Sequence, residues 1–292
     1  MRMETYQIVL LCVFGGLALL ALLFLYLKFF FLIRPATCKT RRREMEKLKG
    51  VKFAHRGLHD EAKAENSMSA FRAAKEHGYG IELDVRLSKD GELVVFHDDT
   101  LIRVTGNEGK VKEFTKDELA AMSLSGTADG IPTLCEVLEL INGEVPLLIE
   151  LKELTSESGL AEKFVEVISD YKGEYIVESF NPMTLRRLRR LRPDMLRGIL
   201  STTYTKEDKY KGKILYYLGE KLLLNFFMRP NFISYIHTGY TTRNLGFIRR
   251  VFGTPLLTWT VKSQAEENAA YEHGFDTVIF EGYIPENKGR SI

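Results

Sequence analysis

The chain has 292 residues, 45% of them apolar and 27% charged, with a formal net charge of +2. This is the make-up of a folded globular protein, and the near-balance of charge carries no global basic signal, so nucleic acid is excluded as a partner. The three cysteines, Cys12, Cys38 and Cys135, are odd in number and far apart; they fit neither a disulfide framework nor a zinc site and read as plain thiols.

Residues 1–33 read as an N-terminal transmembrane anchor. No charged residue occurs from Ile8 to Leu27, and the apolar run resumes after Lys28 as far as Ile33. About twenty such residues at about 1.5 Å each match a hydrocarbon core of roughly 30 Å. A cleaved signal peptide would show a basic start, a shorter core and a small-residue cleavage site, and none of these is present. Pro35, three positions before Cys38, argues against a lipid-attachment site there. Residues 34–50 then form a basic juxtamembrane linker, with Arg34, Lys39, Arg41, Arg42, Arg43, Lys47 and Lys49 against Glu44 and Glu46, while only Arg2 precedes the span. By the positive-inside rule the chain is a single-pass membrane protein whose large C-terminal part lies in the cytoplasm.

Over 51–292, β-rich apolar runs alternate with helix-like stretches. Strands are predicted at 51–55, 80–86, 93–97, 146–151, 174–180, 197–200, 232–236, 256–261 and 277–281, and helices at 67–77 (with Ser67 as N-cap), 115–122, 132–142, 157–170, 182–191, 213–228 and 263–273. This alternation predicts an α/β fold with a parallel sheet, of a length that suits a closed (β/α)₈ TIM barrel. Nine runs exceed eight strands, so one falls outside the barrel. The connection from Arg86 to Leu93 is too short for a helical crossover, so those runs form a hairpin or join by a helix-free crossover.

Polar residues stand where the apolar runs end. Val51–Ala54 leads into His55-Arg56-Gly57, Tyr79-Gly80-Ile81 into Glu82-Leu83-Asp84, Leu93–Phe96 into His97-Asp98, and Leu147–Ile149 into Glu150-Leu151-Lys152. The carboxyl ends of barrel strands are where active sites gather. Strand side chains alternate, so Glu82 and Asp84 share a face, as do Glu150 and Lys152. Two like charges so close call for a cation between them; a hard divalent ion is the simplest, with Glu150 as third oxygen ligand. Lys152 then reaches a phosphate oxygen beside the metal. The two histidines suggest a general acid and a general base. Arg56 offers a planar fork suited to a phosphoryl group, and Gly57 permits close backbone approach to a ligand. Asp98 receives no role.

With these stretches, and with Glu65-Asn66-Ser67, Ser88-Lys89-Asp90-Gly91, Ile131-Pro132-Thr133-Leu134, Ser179-Phe180-Asn181 and Trp259-Thr260-Val261, the chain from about Val51 to Ile284 resembles the glycerophosphodiester phosphodiesterase family. The resemblance implies a (β/α)₈ barrel with a small insertion at about 98–130. It implies a calcium- or magnesium-type ion on Glu82, Asp84 and Glu150, with His55 and His97 as acid/base pair and Arg56 and Lys152 near the phosphate. The family's late strand often ends near an aspartate, whereas this chain has Phe280-Glu281-Gly282, which leaves the role of Glu281 open. The expected activity is hydrolysis of glycerophosphodiesters to glycerol 3-phosphate and an alcohol. Alternatives are a lysophospholipase D acting on membrane lipids and a non-catalytic membrane-bound barrel. The apolar stretch 213–228 fits a buried barrel helix or, alternatively, an element touching the monolayer. The arginines of 186–192 read as a solvated helix face, with a phosphate-attracting surface as the alternative.

Overall fold

The computed structural model describes residues 5–36, 39–153, 159–207, 210 and 212–286; Cys38 and the first residues of the 157–170 helix candidate lie outside them. A long helix α1 (Thr5–Ile33) and a short α2 (Lys39–Lys47) precede the strand β1 (Lys52–Ala54). Then follow α3 (Met68–His77), the strands β2 (Gly80–Leu87) and β3 (Leu93–Val95), and the short helices α4 (Ile102–Thr105) and α5 (Lys116–Ala120). Regular alternation begins with α6 (Leu134–Ile141), β4 (Leu147–Leu151), α7 (Leu160–Ile168), β5 (Tyr175–Ser179), α8 (Pro182–Leu191) and β6 (Arg197–Ser201). It is interrupted by α9 (Ile214–Glu220) and α10 (Asn225–Met228), and ends with β7 (Phe232–Ile236), α11 (Arg243–Phe252), β8 (Leu256–Val261), α12 (Gln264–Glu272) and β9 (Thr277–Phe280).

Among the described residues, eight of the nine strands run parallel and close on themselves in the order β1, β2, β4, β5, β6, β7, β8, β9 and back to β1, the expected (β/α)₈ barrel. The ninth, β3, lies outside the ring and pairs antiparallel with the end of β2, Val85 opposite Val95 and Leu87 opposite Leu93. The short Arg86–Leu93 connection is therefore a hairpin. Residues 98–130 follow it, and their Leu101, Val104, Val111, Leu119 and Leu124 build a small core of their own with Val94 and Phe96.

Alternation divides the barrel residues into two sets. Those facing the helices join the large outer core, among them Leu83, Val85, Ile149, Val177 and Val278. Those facing inward form an apolar floor of Phe53, Leu148, Ile176, Phe232, Leu257 and Ile279. Glycine makes room for its large rings: a Cβ on Gly198 would stand 2.1 Å from the Phe232 ring and one on Gly80 2.7 Å from that of Phe53. Gly198→Ala is expected to lose about 1–3 kcal/mol of stability through this overpacking, read as a lower denaturation midpoint at unchanged slope.

At three points the structure goes beyond the sequence expectations or departs from them. Residues 34–50 are not merely a linker: α2 forms within them, and Met45 and Leu48 are buried in the barrel floor beside Val51 and Phe53. The helix expected over 213–228 breaks into α9 and α10, because Leu222 takes a left-handed conformation (φ 56°) that buries its side chain. And α11 was not anticipated at all. Ser67 does cap α3, its hydroxyl accepting from Ala70 N at 3.2 Å, a contact worth about 1 kcal/mol. Cys12 and Cys135 are free thiols.

Candidate active site

The apolar floor carries a polar layer at the carboxyl ends of the strands. His55, Arg56, Glu82, His97, Glu150 and Lys152 line one cavity of about 100 Å³. Asp84 lies buried within reach of it, level with Glu150 across the β2–β4 pairing. All seven residues singled out from the sequence are thus brought together.

Glu82, Asp84 and Glu150 are almost wholly buried, and one carboxylate oxygen from each lies within 4.8 Å of the other two. Burial, and then the charges of Asp84 and Glu150, push the Glu82 carboxyl well above the usual carboxylate range. Burial also raises Glu150, against the pull of Lys152. Asp84 is the exception: burial would raise it too, but Lys152 and Arg56 hold it well below its ordinary value. Lys152 Nζ stands 2.8 Å from Glu150 Oε2 and 3.2 Å from Asp84 Oδ1, yet Asp84 Oδ1 accepts no hydrogen bond among the described residues. A buried carboxylate oxygen that accepts no hydrogen bond, close to two further buried carboxylates, is what a hard divalent cation would complete, and the all-oxygen donor set suits one.

The local backbone is built to aim these groups. Arg56 adopts φ 56°, sparsely populated for a residue with a side chain. Its N–H thereby donates to Glu82 Oε2 at 2.9 Å, and its carbonyl accepts from Asn66 N at 2.9 Å. Gly57 follows at φ 82°, where a Cβ would stand 2.9 Å from Ala70. The glycine therefore admits the close approach of α3. Asn66 donates from Nδ2 to Asp84 Oδ2 at 2.8 Å, fixing the carboxylate's orientation.

The histidines are each held from behind. His55 Nδ1 lies 2.8 Å from Glu281 Oε2, and His97 Nδ1 lies 2.6 Å from Asp98 Oδ1. A carboxylate can only accept, so each Nδ1 carries the proton and each Nε2 is left as the working atom. Burial lowers both imidazoles below the ordinary value, His97 to about 4. Glu281, bonded to His55, is itself held down at about 2 and stays charged.

Behind Asp98 the contacts form a chain. Arg103 donates to Asp98 and, through both terminal nitrogens, to Glu65; Glu65 in turn accepts from Arg56 Nη1 at 2.7 Å. The shell around Arg56 is thereby tied to the shell around His97. Arg86 Nη2 donates to the His97 carbonyl at 2.7 Å and fixes its backbone. Both cations expected near a phosphate, Arg56 and Lys152, are engaged with carboxylates here, Arg56 with Glu65 and Asp84.

Several residues escaped the sequence reading. Asp98 was set aside, although its place next to a strand-end histidine was a signal. Glu281 obeys the strand-end rule that exposed the others. Glu178, level with Glu150 on β5, is buried and lines the same cavity; burial and the Glu150 charge push its carboxyl well above the carboxylate range. Its signal was a carboxylate inside an apolar run. Arg103, on the 98–130 segment, had none.

Against this geometry the similarities are specific. Residues 55–282 match the Glycerophosphoryl diester phosphodiesterase family. A glycerophosphodiester phosphodiesterase of Caldanaerobacter subterraneus is 40% identical over 164 residues, which are 52% of this chain and 67% of the relative. YhdW of Bacillus subtilis is 31% identical over 236 residues, 78% of this chain and 92% of the relative. Among solved structures, an Oleispira antarctica phosphodiesterase in complex with the product sn-glycerol-3-phosphate superposes with a TM-score of 0.67 at 25% identity, covering 80% of this chain and 94% of that one.

Proposed function

The chain belongs to the glycerophosphoryl diester phosphodiesterase family, and from that premise we propose how its residues divide the hydrolysis of a glycerophosphodiester into sn-glycerol 3-phosphate and an alcohol. The observation that carries the reading is the pair of histidines, each with Nδ1 committed to a carboxylate, opening onto one cavity with three clustered buried acids.

Glu82, Asp84 and Glu150 would hold a divalent ion of calcium or magnesium type. When bound, such an ion polarises a phosphoryl oxygen and offsets the charge that develops on it. Lys152 and Arg56 stand beside the same carboxylates and would offer their donors to the diester. His55 and His97 act as acid and base through Nε2. One takes the proton of the attacking water or substrate hydroxyl, and the other gives a proton to the departing alcohol oxygen. Both are held neutral in the free protein, so a base stands ready near pH 7, and the negative diester favours protonation of the other.

A second substrate class, the lysophospholipids, is favoured by one feature. A cavity of about 560 Å³ adjoins the catalytic one and shares Phe180 and Leu200 with it. Tyr204, Tyr216, Leu222 and Leu224 line it, and its volume falls within the range of about 300–1,000 Å³ usual for ligand pockets. Ile214, Leu215 and Tyr217 of α9, exposed by 69%, 60% and 45%, bring apolar surface beside it. An acyl chain carried by the substrate would enter there.

The protein is anchored by α1, with the barrel on the cytoplasmic side. In support, Leu10–Ile33 is long and apolar enough to cross a membrane and its most apolar stretch is 0% buried; the basic residues that follow Ile33 supply the side.

The test is product analysis with glycerophosphocholine and lysophosphatidylcholine, together with Gly219→Phe. Gly219 lines the apolar cavity, and a Cβ there meets only Tyr204, at 3.6 Å. The parent is expected to release glycerol 3-phosphate and choline from glycerophosphocholine, and acylglycerol 3-phosphate and choline from lysophosphatidylcholine. The variant is expected to lose at least about tenfold in kcat/KM for the lysolipid alone, since each buried methylene is worth about 0.8 kcal/mol. Equal losses on both substrates would sink the acyl-pocket reading, and release from neither would sink the phosphodiesterase reading.

A further inference from the structure

Arg186, Arg189 and Arg190 of α8 and Phe226 and Phe227 of α10 line an open cavity of about 400 Å³, on the flank of the barrel and apart from the catalytic cavity. The Arg186 guanidinium lies over the Phe227 ring, 4.0 Å from its centroid, and Arg189 Nη1 donates to the Phe227 carbonyl at 3.4 Å. The end of α1 packs against the same short helix. Phe31 and Phe226 have ring centroids 5.3 Å apart, and Asn225 Nδ2 donates to the Ile33 carbonyl at 3.1 Å. Arg229 lies over the Phe31 ring, and Arg34 follows the last residue of α1 directly.

This is a gathering of positive charge without local relief. Among the described residues no carboxylate pairs with Arg34, Arg186, Arg189, Arg190 or Arg229, whereas the neighbouring Arg187 pairs with Glu162 and Arg192 with Asp194. Burial, and then the charges of Arg34 and Arg189, lower the pKa of the Arg229 guanidinium. A solvated helix face would disperse its cations or pair them, as Arg187 and Arg192 are paired. Guanidinium forks converging on one cavity match the oxygens of a phosphate, and aromatic rings beside the end of a membrane helix match the headgroup level of a bilayer.

We propose that this cavity holds the phosphate of an anionic phospholipid headgroup, taken from the leaflet in which α1 ends, with Arg186, Arg189 and Arg190 as donors and the two phenylalanines toward the lipid's apolar side. The inference rests on the reading of α1 as an anchor. It gives the barrel a lipid contact distinct from any substrate, and one that depends on the charge of the surrounding membrane.

The test uses the full chain purified in detergent and examined by native mass spectrometry. It is offered phosphatidylglycerol and phosphatidylcholine in equal amounts, with and without millimolar inorganic phosphate. Phosphatidylglycerol is expected to be retained over phosphatidylcholine by on the order of 100-fold, taking roughly fivefold for each of three arginines. The triple variant Arg186→Gln, Arg189→Gln, Arg190→Gln is expected to retain both lipids equally, and Arg187→Gln to keep the preference. Hydrolysis of soluble glycerophosphocholine, unchanged in the triple variant, shows that it is folded. A triple variant that keeps the preference overturns the site. Displacement of the lipid by inorganic phosphate overturns the lipid assignment in favour of a free-anion site. Recovery of the full chain from the aqueous fraction of cells overturns the anchor reading separately.

Discussion

His55→Ala and His97→Ala are each expected to slow hydrolysis by about 10²–10⁴-fold at saturating substrate, the usual worth of a positioned proton carrier. Because the two act in one proton path, the double variant is expected to lose little more than the worse single variant. Steady-state rates on glycerophosphocholine, with circular dichroism as the folding control, decide the matter. Neither ring supports the core: both sit at the mouth of the layer, His97 the more exposed. Two alanine variants that retain the parent's rate would remove the histidines from the mechanism. The pH profile adds an independent check. The base must be unprotonated, and burial holds both imidazoles below their ordinary 6.5, His97 at about 4. The acidic limb of kcat/KM is therefore expected below 6.5, and an acidic limb above that value would contradict the described surroundings.

Removal of the metal is the second large effect. Chelation is expected to abolish turnover, and added calcium or magnesium to restore it and to stabilise the fold by about 2.7 kcal/mol at a hundredfold excess over Kd. Glu82→Gln is expected to lose both responses. It is also expected to be at least as stable as the metal-free parent at pH 8. The Glu82 carboxyl is raised by burial and by Asp84 and Glu150, so its ionisation in the fold costs stability as pH rises above the unfolded value of about 4.5. A glutamine carries no such cost. Thermal unfolding with and without metal measures both claims, and a Glu82→Gln variant still stabilised by calcium or magnesium would remove Glu82 from the ligand set.

The barrel was legible because its determinants are local. Apolar runs of four to seven residues separated by helical stretches need no tertiary knowledge, and i, i+2 alternation alone sets Glu82 with Asp84 and Glu150 with Lys152. The unread parts depended on contacts distant in sequence. Arg103 matters only because the 98–130 segment brings it back onto Glu65 while it holds Asp98. The place of Met45 and Leu48 in the floor is set by barrel closure, which no window of sequence contains. The α11 helix is a different failure. Its buried Leu245, Ile248 and Phe252 stand at helical spacing, but glycines at Gly239, Gly246 and Gly253 divided the pattern. Glu281 was noticed and left open because the family comparison led toward aspartate, when the geometry asks only for a carboxylate within reach of Nδ1.

On the proposed reading of α1 as a membrane anchor, its attachment has a consequence for how such an enzyme would meet its substrate. The chain leaving the helix is gripped at once: Ile33 by Asn225, Ala36 through its N–H on the Pro230 carbonyl, and Met45 within the barrel floor. A catalytic unit on a slack tether samples every tilt and must find its productive pose at each encounter. One seized at the foot of its anchor turns about a single axis and keeps its mouth at one height. For a molecule diffusing in the plane of a bilayer, the search then reduces to two dimensions of travel and one angle, and the orientational part of each encounter is settled when the protein folds.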